Sequence, residues 1–238
     1  MIIEKLRQEL ARHDRPENKL NYQQFFKEKL DEPFGLKTAI LRKISNQCFR
    51  EIKHFSAKEI LDIGDQLLES GERYHRFFAF EWALKINGRY SKTDFGRFES
   101  WLKKYVDNWG ACDHLCCGAL GHLLLKFPDL VSKPKKWTSA KNRWHRRASA
   151  VCLIIPVRNR ILLDEVFQTA DILLTDGDDM VQKGYGWMLK EASNVFPEDV
   201  YKYVMKNKKE MPRTALRYAI EKLPPEMRKE AMKKDWLK

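Results

Sequence analysis

Four side chains of this sequence combine the chemical types and the spacing that a site for a cationic substrate needs. Trp109 and Asp113 lie four residues apart, so on a helix they share one face. A carboxylate can stabilise a developing positive charge, an indole can offer its π-face to a cation or a sugar, and a guanidinium such as that of Arg147 can hold a phosphate. Trp187 supplies the second indole. Each residue taken singly also has an ordinary interpretation, as a core indole or a surface charge.

A basic stretch between Leu130 and Leu163 contains no acidic residue. Trp137 and Trp144 are interleaved with its cations. Cations hold phosphates and indoles stack on bases or sugars, so this mixture favours a nucleic-acid surface over a merely solvated face. The cations are Lys133, Lys135, Lys136, Lys141, Arg143, Arg146, Arg147, Arg158 and Arg160.

The composition of the whole chain is that of a globular protein with an anionic partner. Its 238 residues are 43% hydrophobic and 33% charged, which argues against a disordered chain, and the net charge is +12. The sequence has no stretch of about 18 apolar residues that would predict a transmembrane helix, so we expect no membrane partner. Charges interrupt the first residues, so we expect no secretion signal. Five cysteines, an odd number, then predict reduced thiols inside the cell.

The segment CDHLCC (112–117) carries thiols and an imidazole, yet it lacks the paired spacing of a zinc site. Cys112 and His114 are two residues apart and would face opposite ways on a helix, which argues against a Cys–His nucleophile pair. We therefore expect buried thiols and no metal or other cofactor.

Apolar residues recur at spacings of three and four along almost the whole chain, as in AKEILDIGDQLLES and FGRFESWLKKYV. The segments between them are punctuated by Gly, Pro, Asn or Asp, which end helices and form turns. The sequence contains no run of alternating apolar and polar residues with a hairpin turn, so no strand is predicted. The sequence thus predicts an all-α chain.

The predicted helices also repeat. Tyr74, Trp109, Trp144 and Val181 fall into one column, at spacings of 35, 35 and 37 residues, and Phe-Pro-acidic turns follow in LKFPDLV and NVFPEDV. Two helices per period of this length predict HEAT-like units that stack into a helical-repeat solenoid with a concave basic face, as a single domain over residues 1–238. An irregular helical bundle is the alternative, because few positions in the columns are identical.

The motifs in these segments resemble those of the AlkD-type alkylpurine DNA glycosylases, whose fold is a solenoid of HEAT-like repeats. The motifs are NWGACD (108–113), RWHRRASAV (143–151), VQKGYGWMLKEAS (181–193) and, more loosely, FFKEKLDEPFGLKTAILRKI (25–44). The family's Trp-x-x-x-Asp pair falls on Trp109 and Asp113, its arginine on Arg147 and its Gly-Trp tryptophan on Trp187. One position departs from the pattern: Phe26 stands where members carry a tyrosine, so any contact of that hydroxyl is lost.

The resemblance implies an enzyme that removes N3-alkyladenine and N7-alkylguanine from double-stranded DNA. These bases are positively charged and good leaving groups, so no general acid is required. Asp113 would stabilise the oxocarbenium-like sugar and orient the attacking water, while Trp109 and Trp187 would cradle the sugar and the cationic base. The implied protein is a monomer of the bacterial cytoplasm, associated with the nucleoid.

We expect basic side chains near the site to grip DNA phosphates, with Arg147 closest to the chemistry. The predicted DNA-binding residues are Arg143, Arg146, Arg147, Lys133, Lys135, Lys136, Lys141 and Phe26. Two other classes stay open: a non-catalytic repeat protein that binds distorted or branched DNA, and a protein–protein scaffold. The presence of Asp113 with both indoles favours the enzyme over the non-catalytic protein, and the predicted concave basic stripe with the net charge of +12 disfavours the scaffold.

Overall fold

The computed structural model describes residues 2–13 and 35–234 of the chain. Phe26 lies outside these stretches, so its predicted DNA contact stays a prediction. Within them, all regular secondary structure is helical, which confirms the all-α prediction. No helix in either stretch combines the length and the apolar character that a bilayer span requires.

The helices form two compact units, divided in the sequence between Tyr90 and Ser91. The single repeat domain over residues 1–238 stays a prediction. The elements of the first unit are α1 (Ile2–His13), α2 (Thr38–Ile52), α3 (Ala57–Glu69), α4 (His75–Lys85) and a 3₁₀ turn (Asn87–Arg89). In this unit α3 packs along α4, and α2 contacts both α1 and α4.

Tyr74, the first member of the predicted column, joins two segments of the first unit. It precedes α4 in the left-handed conformation, with φ at +66°. Its hydroxyl accepts hydrogen bonds from the backbone N–H groups of Gly35 (3.0 Å) and Leu36 (3.1 Å). A side chain in the column thus fixes the end of the PFGL motif, so this part of the motif is structural.

The second unit is a longer series of short helices. Its α-helices are α5 (Asp94–Tyr105), α6 (Trp109–Leu115), α7 (Gly121–Lys126), α8 (Ser132–Lys135), α9 (Arg143–Val151), α10 (Ile154–Arg158), α11 (Leu163–Leu173), α12 (Asp179–Ser193), α13 (Pro197–Asn207), α14 (Arg213–Ala219) and α15 (Pro225–Met232). A π-helical turn (Cys116–Leu120) joins α6 to α7, and 3₁₀ turns occupy Pro128–Val131 and Lys136–Ser139. Within this unit α6 contacts α9, α9 contacts α12 and α12 contacts α14, so these four helices form a row.

Helix starts along the sequence follow the predicted repeat, but with a shorter period. Helices α4, α6, α9 and α12 begin at His75, Trp109, Arg143 and Asp179, which are 34, 34 and 36 residues apart. The column predicted from Trp109, Trp144 and Val181 therefore drifts by one residue per repeat relative to the helix starts. Its register was wrong because large apolar residues were aligned, whereas the helix starts are set by capping residues.

The two Phe-Pro-acidic turns do have matching structures. Phe127 and Phe196 adopt φ of −132° and −133°, and each precedes a proline in the first position of a helical turn. Proline suits that position because its missing N–H would be unpaired there in any case. Equivalent turns after α7 and α12 support a repeated helical architecture in this unit.

Candidate active site

Helix α6 begins with the residues that position the predicted carboxylate. Asn108 caps the helix, and its side-chain oxygen accepts the backbone N–H of Ala111 at 2.9 Å. The cap satisfies one of the free donors of the first turn and sets the helix start at Trp109. Trp109 is half-buried, and Asp113 follows one turn later. One capped helix therefore positions both Trp109 and Asp113.

Asp113 and Arg147 form a two-pronged ion pair between α6 and α9. Arg147 donates from Nε to Oδ1 of Asp113 and from Nη2 to Oδ2, both at 2.8 Å. The guanidinium is almost fully buried, whereas 17% of the Asp113 side chain is exposed. Both residues are the fifth of their helix, and Asn142 caps α9 as Asn108 caps α6. The pair forms because neighbouring helices of the row start in register.

A third helix completes the surroundings of Arg147. Its Nη1 donates to the backbone carbonyl of Met180 in α12 at 2.5 Å. The close approach is possible because Gly184 lies one turn later, where a Cβ atom would stand 3.0 Å from Cγ and 3.4 Å from Nη1 of Arg147. One guanidinium therefore ties α6, α9 and α12 together.

Replacing Gly184 should disturb the arginine through this contact. We expect Gly184→Ala to lower the free energy of unfolding by about 1–3 kcal/mol, because the Arg147 stem must shift to accept the methyl group. The matched control is Gly96→Ala in α5, where an added Cβ meets nothing within 4 Å and alanine should be neutral or stabilising. Denaturant unfolding of both variants measures the difference, and equal stability would contradict the assigned contact.

The electrostatics of the pair depend on its burial. Burial raises the pKa of the Asp113 carboxyl above its ordinary value, and the hydrogen bonds and charge of Arg147 oppose that rise. Asp113 thus depends on Arg147 to be held as a carboxylate in one orientation. A fixed, partly exposed anion is a group that can stabilise positive charge developing on a substrate.

Trp187 lies on α12 and is half-buried. Its indole Nε1 donates a hydrogen bond to Oε1 of Glu191 at 2.9 Å. Glu191 is itself buried and accepts a hydrogen bond from Nε of Arg158 at 2.9 Å. Of the predicted site residues, Asp113 and Arg147 are brought into contact, Trp109 lies one turn before Asp113, and Trp187 is held by this separate network.

The other arginines at the start of α9 bind the acidic loop before α12. Arg146 donates from Nε to Asp176 at 2.7 Å, and Arg143 donates from Nη2 to Asp178 at 2.9 Å. Asp178 also caps α12 by accepting the N–H of Met180 at 2.8 Å. The three arginines therefore bind protein carboxylates in this structure, and their predicted phosphate contacts stay predictions.

Trp137 and Trp144 are core residues, so their predicted stacking on bases is wrong. Each is only 6% exposed. Trp137 stacks on Phe95 and donates its indole N–H to Glu99 at 2.8 Å, and the Arg143 guanidinium lies 5.1 Å from the Trp144 ring centroid. Sequence alone could not separate these buried indoles from the half-buried ones.

The predicted lysines have the exposure that the arginines lack. All four lie in the segment that contains α8, the adjacent 3₁₀ turn and the residues before α9, and all four are exposed: Lys133, Lys135, Lys136 and Lys141. Lys133 lies 4.9 Å from the Phe95 ring centroid and Lys135 donates to Gln168, while both stay exposed. These ammonium groups are available to an anionic partner.

The thiols of CDHLCC are largely buried, with Cys112 and Cys116 fully so and Cys117 half-buried. Burial raises the pKa of the Cys116 thiol well above its ordinary value, which disfavours the thiolate. In the two described stretches, no group of three His, Cys, Asp or Glu residues could hold a metal ion.

Sequence reasoning missed three contributors to this site. Gly184 and Glu191 both lie inside a motif that had been noted for Trp187, and Asp178 lies in a segment interpreted only as a turn. The spacing of four between Trp187 and Glu191 was a usable signal, because residues four apart meet on one helical face.

The model of a protein family described as DNA alkylation repair enzyme matches residues 6–223. This chain belongs to the DNA alkylation repair enzyme family. A solved structure described as "Predicted DNA alkylation repair enzyme from Enterococcus faecalis" matches with a TM-score of 0.70 and 17% identity, over 79% of this chain and 87% of that chain. At that identity the likeness shows a shared fold. No curated protein matches the chain.

The family match of this DNA alkylation repair enzyme spans Trp109, Asp113, Arg147 and Trp187. Family membership gives DNA alkylation repair as its class of function and DNA as the class of partner. The Asp113–Arg147 pair, the half-buried indoles and the exposed lysines all lie in its second unit.

Proposed function

We propose that this protein is a DNA glycosylase that hydrolyses the N-glycosidic bond of N3-alkyladenine and N7-alkylguanine in duplex DNA. The observation that carries the proposal is Asp113, whose side chain is 17% exposed and whose carboxylate is fixed by two hydrogen bonds from Arg147, one helical turn after a half-buried Trp109. A largely buried pair of this kind costs desolvation free energy, so its presence is better explained by a chemical role than by stability.

The reaction needs one well-placed negative charge. An alkylated purine cation leaves without protonation, and the deoxyribose then acquires oxocarbenium character. Asp113 stabilises that charge and accepts a hydrogen bond from the water that attacks the sugar carbon. The proton of this water passes to the carboxylate or to solvent, and the neutral alkylated base and an abasic sugar are the products. No metal or cofactor takes part in the proposed reaction.

The indoles and the basic side chains have separate roles in this proposal. Trp109 and Trp187 contact the sugar and the cationic base through their ring faces. Arg147 positions Asp113, and Arg143 and Arg146 line the adjoining DNA-binding edge. The exposed lysines of the segment 133–141 hold phosphates. We expect a monomer that acts in the cytoplasm on nucleoid DNA.

Release of N7-methylguanine from duplex DNA tests the activity directly. We expect the wild-type protein to release the base above the rate of spontaneous depurination, measured at enzyme excess by chromatography of the free base. Binding to the same duplex without release above background would instead favour the non-catalytic DNA-binding protein. Failure to bind the duplex at all would favour a protein scaffold.

The exposed lysines should contribute the salt dependence of DNA binding. Each phosphate contact adds roughly 0.9 to the slope of log K against log salt concentration. We expect a variant with glutamine at Lys133, Lys135, Lys136 and Lys141 to lose roughly 3 to 4 units of that slope. A control with glutamine at the exposed Lys202, Lys206, Lys209 and Lys229 changes the net charge equally. Equal slopes for both variants would place the phosphates elsewhere.

A further inference from the structure

The indole of Trp187 is held at one edge by a buried carboxylate on its own helix. Trp187 and Glu191 are four residues apart on α12, and Nε1 lies 2.9 Å from Oε1. A half-buried tryptophan whose ring contacts a substrate can rotate about its two side-chain torsions. The hydrogen bond removes that freedom because the N–H reaches the carboxylate in one ring orientation only.

Glu191 is in turn fixed from two sides. Its second oxygen accepts hydrogen bonds from Nε of Arg158 at 2.9 Å and from the side-chain amide of Asn194 at 3.2 Å. Arg158 comes from α10, which packs against α12, so the anchor extends to a second helix. Burial acts against the carboxylate, and hydrogen bonds from Arg158 and Trp187 outweigh it, so the pKa of Glu191 lies below its ordinary value. The side chain is therefore an anion at neutral pH.

The hydrogen-bond network around Trp187 is more extensive than a half-buried indole needs for stability alone. A partly exposed indole could donate its N–H to water, and Arg158, with 44% of its side chain exposed, could be solvated. Instead Glu191, which is only 8% exposed, accepts the N–H of the half-buried Trp187. Trp137 also donates its N–H to a carboxylate, that of Glu99, but Trp137 is a core residue that is only 6% exposed, whereas Trp187 is half-buried.

We propose that Glu191 is a positioning residue that sets the orientation of the Trp187 ring toward the lesion, with Arg158 holding Glu191 in place. The inference rests on the proposed function, because it assigns the ring face to the cationic base. A negative charge on the N–H edge also makes the indole π-face a better partner for a cation, so the same contact tunes both direction and strength.

A double-mutant cycle with Trp187→Phe tests this role, because phenylalanine keeps an aromatic ring and lacks the N–H. We expect Glu191→Ala to slow single-turnover release of N7-methylguanine at saturating enzyme by roughly 10- to 100-fold, the range for a lost hydrogen bond to a charged group. Glu191→Gln should recover most of the rate, because its amide oxygen still accepts the N–H. In the Trp187→Phe background, Glu191→Ala should add little further loss. The control Glu221→Ala removes an exposed carboxylate that pairs with Lys190 and should leave the rate unchanged.

A second readout makes the outcome independent of activity. The indole N–H resonance of Trp187, assigned from its absence in Trp187→Phe, should exchange faster with solvent in Glu191→Ala than in wild type or Glu191→Gln. Unchanged exchange, or additive rate losses in the two backgrounds, would overturn the positioning role. If wild type releases no base, the glycosylase proposal fails, and the exchange measurement still decides whether Glu191 orients the ring.

Discussion

The Asp113→Asn variant is expected to release N7-methylguanine about 10²–10³ times more slowly than the wild type, which corresponds to about 2.7–4 kcal/mol of lost transition-state stabilisation. Asparagine preserves the shape of the side chain and removes its charge, so the oxocarbenium-like sugar loses its counter-charge. Binding to duplex DNA should persist or strengthen slightly, because a negative charge has been removed from a surface that meets a polyanion. The rate must be corrected for spontaneous depurination of the cationic base.

The buried partner of Asp113 makes stability part of this experiment. Asparagine leaves the Arg147 guanidinium, which is only 5% exposed, without a counter-charge. Removing one member of a buried pair costs about 3–5 kcal/mol, and the remaining amide oxygen should keep the loss near the lower end. The variant Asp113→Asn with Arg147→Gln removes both charges and should recover stability without recovering the rate. If folded Asp113→Asn releases N7-methylguanine at the wild-type rate, the proposed mechanism is excluded.

The second large effect is expected from Arg147→Met, and it should depend on pH. Methionine keeps the buried stem and removes the hydrogen bonds and charge that oppose the raised pKa of Asp113. The pKa of Asp113 then rises further, so less of it is ionised at neutral pH. We expect base release to fall at neutral pH and the acidic limb of the rate profile to move to higher pH.

The sign of the stability effect follows from the same shift. A carboxyl with a raised pKa in the folded protein is protonated in the folded state while it is ionised in the unfolded chain, whose pKa is about 3.9. Between the pKa of Asp113 in the unfolded chain and its higher pKa in the folded protein, the free energy of unfolding of Arg147→Met should fall as pH rises. Denaturant unfolding at several pH values and single-turnover rates over the same range measure both effects. Arg217→Met, on the exposed side of α14, is the charge control, and parallel profiles for the two variants would contradict the assignment.

The sequence was sufficient to predict the helical class. Periodicity of three and four is a local property, so apolar spacing indicates helices without knowledge of the tertiary contacts. The spacing of Trp109 and Asp113 also holds, because both lie in α6. The contact of Asp113 with Arg147 could be expected only if neighbouring units stack in register, and the caps Asn108 and Asn142 provide that register.

The environment of each charge and each ring could not be predicted from the sequence. Arg146 belongs to a basic stretch without acidic residues, yet its partner Asp176 lies 30 residues later, in the loop before α12. Burial of Trp144 depends on packing across the row of helices, while the half-buried Trp109 opens its own helix in a similar position. Local charge density was therefore a poor guide to which cations are available for DNA, because tertiary contacts neutralise them unequally.

The three-helix origin of the site limits how an array of this kind can change its length. Asp113 belongs to α6, Arg147 to α9, and the Met180 carbonyl to α12, so each helix supplies a different group to this set of contacts. Insertion between α6 and α9 of a repeat without an arginine at the position of Arg147 would separate the carboxylate from the guanidinium by a helix spacing of about 8–10 Å, beyond hydrogen-bond reach. Repeats added before α6 or after α12 would leave these contacts in place, whereas the contacts require the order α6, α9, α12.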